Sequence, residues 1–281
     1  MLSAAVLFLS SCLKDDRYVD FGNAGTIVEF PLGGEVNFGA DAIVETPDST
    51  PNAAITRRFA VNVASVHAPS NSTKITFAVD NSLVAKYNAA HPLITYLQMP
   101  ANAYKFDTTV VTIPGGQHIG FSSVTFYKSK LDGTKSYMLP IKISDASGLN
   151  ISGNKGIHYY HFIGNEFAGA YLWDYTRDPP SGNFVGADAT LYPVTPTQFE
   201  MNSGYYTGTI RYEVTFVKEG TGAAARYSNF EVAFNADDVR DILTANDIAV
   251  TAQPVIIAPG YDPTKKYTYD EALKLFELNI L

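Results

Sequence analysis

The chain has 281 residues, 46% of them hydrophobic and 17% charged. That balance excludes a disordered acidic or basic tail, and at about 100–200 residues per domain the length suits two domains. Asp and Glu number 28 against 20 Lys and Arg, a net charge of −8; this argues against nucleic acid as a partner, because phosphate binding needs a basic face. Cys12 is the single cysteine, so no intramolecular disulfide and no Cys-built metal site can form. The 18 Tyr and 17 Phe, with 21 Gly and 15 Pro, give the composition of an all-β chain with many turns.

Leu2 to Leu9 is an apolar run, too short for a membrane-spanning helix of about 20 residues but fitting the apolar region of a secretory signal. It leads into Leu9-Ser10-Ser11-Cys12. Small residues there let a peptidase reach the backbone, and the thiol can accept a diacylglycerol. The segment resembles a bacterial lipobox. The resemblance implies that residues 1–12 are a lipoprotein signal peptide with Cys12 lipidated; the plainer alternative is a buried Cys near a frayed terminus. No Lys or Arg precedes the run, so the natural start is expected upstream of Met1. Lys14, Asp15 and Asp16 follow, and they resemble the export signal of Bacteroidetes-type surface lipoproteins. That likeness implies an outer-membrane protein facing the cell exterior and held through lipid on Cys12; the alternative is a solvated polar tether. Residues 13–24 read as a tether in either case. Several acyl chains on one Cys would anchor stably, where one chain is marginal.

From Thr26 the chain alternates in the strand manner. Phe59, Val61 and Val63 share one face, as do Ile75, Phe77 and Val79. Asp80-Asn81-Ser82 is a capping signal for a short helix over Leu83–Asn88, which His91-Pro92 ends. Further strands are expected at Tyr104–Phe106, Thr109–Ile113, Phe121–Tyr127, Tyr137–Ile143 and Ile157–Ile163, with turns at Gly115-Gly116 and Asp132-Gly133. This number of short strands over residues 25–164 predicts an immunoglobulin-like β-sandwich.

Five segments occur in order: Val79–Val84, Tyr87-Asn88, Met99–Tyr104, Val111–Gly116 and Tyr137–Ile143. As a set they resemble the N-terminal domain of unknown function of Bacteroidetes surface lipoproteins, a domain that also precedes some family-18 glycoside hydrolases. The resemblance spans about residues 20 to 165. It implies an immunoglobulin-like fold and a setting in glycan uptake, with a transporter or glycoside hydrolase as candidate partners. It supplies no catalytic residues.

Asn165 opens a second β-rich unit, 165–281, a sandwich or partial barrel. Glu166–Tyr171 reads as its entry strand. Ile210, Tyr212, Val214 and Phe216 alternate cleanly, and Phe230, Val232 and Phe234 form another face. Asn235 is placed to cap a helix over Ala236–Ala245. Phe276, Leu278 and Ile280 are expected on one face of a final strand, Lys274–Leu281, in preference to a helix over Asp270–Leu278. The sequence stops inside that apolar run, so truncation at the C-terminus is also an expectation. This half loosely resembles the β-rich, lipocalin-like C-terminal domains of the same lipoproteins.

No catalytic constellation stands out. The family-18 Asp-Asp-Asp-Glu pattern is missing, and the second half is too short for a (β/α)₈ barrel. No nucleophile elbow or Walker loop occurs, and Gly220-Thr221-Gly222 reads as a turn. His158 and His161, three apart on a strand, point to opposite faces and share no metal. Asp237-Asp238 sits where acids favour a helix dipole. The suggestive cluster is Tyr171, Trp173 and Tyr175, which share one strand face. It is either an aromatic platform for sugar rings or the core face of the second unit, and burial statistics favour the core. Asp174, Arg177 and Asp178 are candidate hydrogen-bonding groups at its rim, and Tyr205 and Tyr206 are a second aromatic pair. No cofactor and no metal are expected. The sequence thus points to a non-catalytic surface lipoprotein that binds glycan. The alternatives are a structural or adhesion protein and, as a minor one, a hydrolase with an unrecognised site.

Overall fold

Chain-wide alternation of apolar and polar residues commits this sequence to sheets, and the fold follows from which strand faces must be covered. A computed structural model describes residues 25–31, 36–37, 54–177, 182–203, 210–247, 249, 254–256 and 260–277. The strands of the first unit are β1 (Ile27–Glu29), β2 (Val36–Asn37), β3 (Ala54–Ala64), β4 (Thr73–Val79), β5 (Leu97–Gln98), β6 (Tyr104–Phe106), β7 (Val110–Ile113), β8 (Ile119–Tyr127), β9 (Tyr137–Asp145), β10 (Asn150–Ile151) and β11 (Ile157–Phe162). One sheet has the order β10-β1-β3-β8-β6. The other is β2-β11-β9-β4-β7, with β5 added beside β9. Val28, Phe59, Val61, Ile75, Val124, Phe126 and Leu139 close the core between them. This is the expected immunoglobulin-like sandwich.

The second sheet is covered on both sides. Its outer face carries α1 (Ser82–Ala90), and Val84, Ile94, Tyr96, Met138 and Tyr159 form a smaller core beneath that helix. Two-sided burial explains why Tyr137–Ile143 reads as a continuous apolar run and does not alternate. Pro140 is tolerated within β9 because β4 ends at Val79, opposite Ile141. The side where a proline N–H would be missed meets no strand there. Helix α1 starts through Asp80, whose Oδ1 accepts from Ser82 N at 3.2 Å and Ser82 Oγ at 2.6 Å. Lys142 bonds the same carboxylate at 2.8 Å, and that hydrogen bond, with those from Ser82, holds the Asp80 carboxyl down at about 2.

The second unit is one antiparallel sheet, β12 (Gly169–Arg177), β13 (Gly182–Thr195), β14 (Gln198–Asn202), β15 (Arg211–Glu219) and β16 (Arg226–Phe234), in simple meander order. Gly220 and Gly222, both with positive φ, make the turn between β15 and β16. After β16, Asn235 Oδ1 accepts from Asp237 N and Asp238 N and starts α2 (Ala236–Asp238), which continues as a π-helical turn over Val239–Leu243. The core face of the sheet is roofed by α3 (Tyr269–Glu277), with Ala272 and Leu275 buried.

That helix corrects the expectation of a strand from Lys274. Thr268 and Glu271 form a capping box: Thr268 N donates to Glu271 Oε2 at 2.8 Å, and Glu271 N donates to Thr268 Oγ1 at 3.3 Å. Apolar residues three apart, Ala272 and Leu275, then serve a helix facing a sheet. The expected entry strand also shifts. Phe167 is buried in the core ahead of β12, which begins at Gly169.

The capping box carries a test. Thr268→Ala removes an acceptor at the start of α3 and is expected to cost about 1 kcal/mol. Urea denaturation should show a lower midpoint with an unchanged slope.

Candidate functional site

Strand β12 places the aromatic stripe. Tyr171 pairs with Ala189 and Trp173 with Ala187 on β13, so small residues lie beside large rings. Tyr171 and Trp173 are half-buried and pack against the core of the second unit. The Tyr171 hydroxyl donates to Phe167 O at 3.1 Å, and burial, with Tyr269 nearby, pushes its pKa up. Tyr171 and Trp173 are therefore on the core face, and among the described residues their cover is incomplete at the β12 end. Tyr171, Trp173, Ala189, Leu191, Met201 and Leu273 line an open apolar cleft of about 50 Å³. Leu172 stands at its mouth, 71% exposed. The stripe serves as core and as cleft wall at once.

Asp174 alternates to the opposite face. Its Oδ1 accepts from Gly186 N at 2.7 Å. Between Trp173 and Tyr175 the β12–β13 register shifts, and Gly186 has a φ of 64°. Asp174 thus braces a bulge instead of lining the cleft. Tyr175 and Arg177 continue along β12, opposite Phe184 and Gly182. Asp178, Tyr205 and Tyr206 lie outside the described residues, as do Cys12, Lys14, Asp15 and Asp16.

The sequence reading missed the other walls of the cleft. Ala189 and Leu191 come from β13 and Met201 from β14, neither of which was expected as a strand, and Leu273 comes from α3. The inward alternation Ala189, Leu191, Pro193 was a signal for β13, diluted by the Gly and Ala around it.

The opposite face of the sheet carries a charged network. Arg211 reaches Asp238 through Nε and Nη2, each at 2.9 Å, and Glu200 through Nη1 at 2.5 Å. Asn235 Nδ2 donates to Glu200 Oε1 at 2.8 Å. Burial pushes the Glu200 carboxyl up. Burial also acts upward on Asp238, but the Arg211 hydrogen bonds outweigh it and hold that carboxyl below its usual value. Asp238 therefore does more than favour a helix dipole: it ties α2 to β15. With Glu200 and Asp238 both saturated by Arg211 and Asn235, this network is a brace and leaves the chemistry to the cleft.

The two close histidines fall on opposite sides of their sheet. His158 packs near Phe30, Phe59 and Tyr160. His161 Nδ1 lies 2.8 Å from the Tyr96 hydroxyl, and burial pushes the His161 pKa down to about 4. Among the described residues, no three His, Cys, Asp or Glu side chains gather as a metal set, and no helix is long and apolar enough to cross a membrane.

A family model described as a "-like, N-terminal domain" matches residues 34–150, within the span of the resemblance read from the sequence. No curated protein matches this chain. Among solved structures, the chain is similar to a Bacteroides ovatus multidomain protein including DUF1735, at 16% identity, with 82% of this chain and 76% of that one covered and a TM-score of 0.39. A candidate carbohydrate-binding protein of Bacteroides ovatus is 13% identical, with coverages of 74% and 67% and a TM-score of 0.42. An auxiliary nutrient-binding protein of Bacteroides thetaiotaomicron is 15% identical, with coverages of 72% and 68% and a TM-score of 0.35. At these scores the likenesses carry no functional argument.

The brace predicts a pH-dependent phenotype. Arg211→Ala leaves two largely buried carboxylates without their cation, expected to cost about 2–3 kcal/mol at pH 7 after discounting for the exposure of the guanidinium. In the native protein the Asp238 contribution is present above the ordinary carboxylate pKa and is lost as pH falls through its lowered value. The deficit of the variant should therefore be largest at neutral pH and shrink as both carboxyls protonate. Denaturant melts at pH 7 and pH 3.5 measure it.

Proposed function

We propose that this chain is a non-catalytic, surface-anchored lipoprotein that binds glycan as an accessory of a polysaccharide-utilisation system. The observation that carries the reading is the pair Tyr171 and Trp173 on one strand face, lining an open apolar cleft. Sugar rings present C–H faces that stack on such side chains, and aromatic contacts of this kind contribute about 0.5–1.5 kcal/mol each. A shallow site of this type binds between about mM and μM, or −4 to −8 kcal/mol. The lipid anchor on Cys12, export through Lys14-Asp15-Asp16, an outward-facing position on the outer membrane, and a transporter or glycoside hydrolase as partner belong to the same proposal; the sequence resemblances support them.

A second reading has its own observation. The edge strands of the sandwich sheets are two to four residues long, whereas β12 is a nine-residue edge with Leu172 exposed beside it. Among the described residues nothing pairs with its outer side. Such an edge suits an extended segment of a protein partner.

The first test is a glycan array with soluble protein beginning at Arg17, beside Trp173→Ala and Trp173→Phe. Glycan binding that drops at least tenfold in Trp173→Ala, about 1.4 kcal/mol, and recovers in Trp173→Phe supports the site. A blank array from folded protein overturns the glycan reading and moves weight to the β12 edge. For the anchor, Cys12→Ser in a lipoprotein-processing host is expected to shift the chain from the membrane fraction to the soluble fraction. Unchanged fractionation overturns lipidation at Cys12.

A further inference from the structure

The size and polarity of the cleft narrow what part of a sugar it takes. At roughly 10–15 Å³ for one water-sized group, its volume of about 50 Å³ holds about three to five such groups. A pyranose ring with its substituents is larger, and a lone methyl group would leave most of the space empty. No side chain of the lining is charged, and the one hydroxyl, on Tyr171, already donates to Phe167 O. A sugar hydroxyl pushed against the wall of Leu191, Met201 and Leu273 would give up its water with no polar side chain among those three to replace it, a cost of about 1–3 kcal/mol. Sulfated and uronic sugars are disfavoured further, since the protein carries a net charge of −8 and no cation is among the described residues that line the cleft.

An acetamido group meets these limits. It has four heavy atoms: a methyl carbon, a carbonyl carbon, an oxygen and a nitrogen. It is uncharged, and its apolar end is distinct from its polar end. The methyl suits the wall of Leu191, Met201 and Leu273, and the amide can face the backbone of β12, the outermost strand of its sheet. We infer that the cleft is a subsite for the N-acetyl group of a neutral 2-acetamido sugar whose ring stacks on Trp173. This rests on the glycan-binding reading above and adds the substrate class.

The test compares two ligands that differ at one position of each ring. Chitotetraose is the β-1,4-linked tetramer of N-acetylglucosamine; cellotetraose has the same rings and linkage with a hydroxyl in place of the acetamido group. Calorimetric titration should show chitotetraose binding at least tenfold tighter. Ala189→Val and Leu273→Phe fill the cleft from two different walls, and thermal melts report whether each variant is folded. Either folded variant should bring chitotetraose to the level of cellotetraose. Equal binding of the two ligands to the native protein, or a preference that survives in both folded variants, overturns the inference. So does tighter binding of a 6-deoxyhexose oligosaccharide, whose methyl group would then be the recognised feature. If array glycans bind through Trp173 but chitotetraose is not preferred, the inference falls and the glycan reading stands. If no glycan binds, both fall.

Discussion

Phe167 is fully buried, and its ring meets those of Phe199, Phe216, Tyr227, Phe230 and Tyr269 at centroid distances of 5.0–6.3 Å. Burying such a side chain contributes about 1.5–3 kcal/mol, and well-placed aromatic pairs add to it. The backbone of the same residue fixes its neighbours. Its N–H donates to Asn165 Oδ1 at 2.9 Å, and its carbonyl accepts the Tyr171 hydroxyl. Asn165 in turn donates through Nδ2 to Thr195 O and Gln198 O, at the β13–β14 turn. One residue ahead of Asn165, Gly164 N donates to Ser136 Oγ at 3.1 Å, and a Cβ on Gly164 would fall within 2.5 Å of the Lys135 backbone. The cleft strand, the roof helix and the junction with the sandwich therefore all take their positions from one buried ring and the two residues around it.

The two units solve the problem of covering a sheet differently. In the sandwich, the sheet containing β9 has the core on one face and α1 on the other. Among its described residues the second unit has one sheet, with α3 over its core face and charges bracing the other. The roof α3 is nine residues long, about 13 Å at 1.5 Å per residue. Five strands about 4.8 Å apart span a greater width. Among the described residues α3 alone therefore does not span the sheet; Ile256, Tyr261 and Tyr267 pack against the same core, and Leu273 and Trp173 line the cleft from roof and sheet.

Much of this was legible in the sequence. The period-two runs of the sandwich, the Asp80 and Asn235 helix starts, and the turns at Gly116 and Gly220 all rest on local rules that tertiary packing did not override. The placement of Tyr171 and Trp173 on one face followed from strand geometry; that they would be both core and cleft wall did not, because burial depends on how far the roof reaches. Strand β13 escaped notice because Gly182–Thr195 contains two Gly, a Pro and two Ala and lacks a clear apolar rhythm, and β14 because it is only five residues long. The helix α3 was legible in principle: Thr268 and Glu271 stand at capping-box spacing. The apolar residues after them fit both periods, and only the cap distinguishes the two.

The order of synthesis gives α3 a further role. It follows every strand it covers, so a chain in which the meander forms first carries Phe199, Phe216 and Phe230 on an uncovered face until Thr268–Glu277 docks. Uncovered apolar surface of that kind is what makes a folding intermediate prone to pair with another chain. In the sandwich the two layers alternate along the sequence, so each sheet gains cover as it forms.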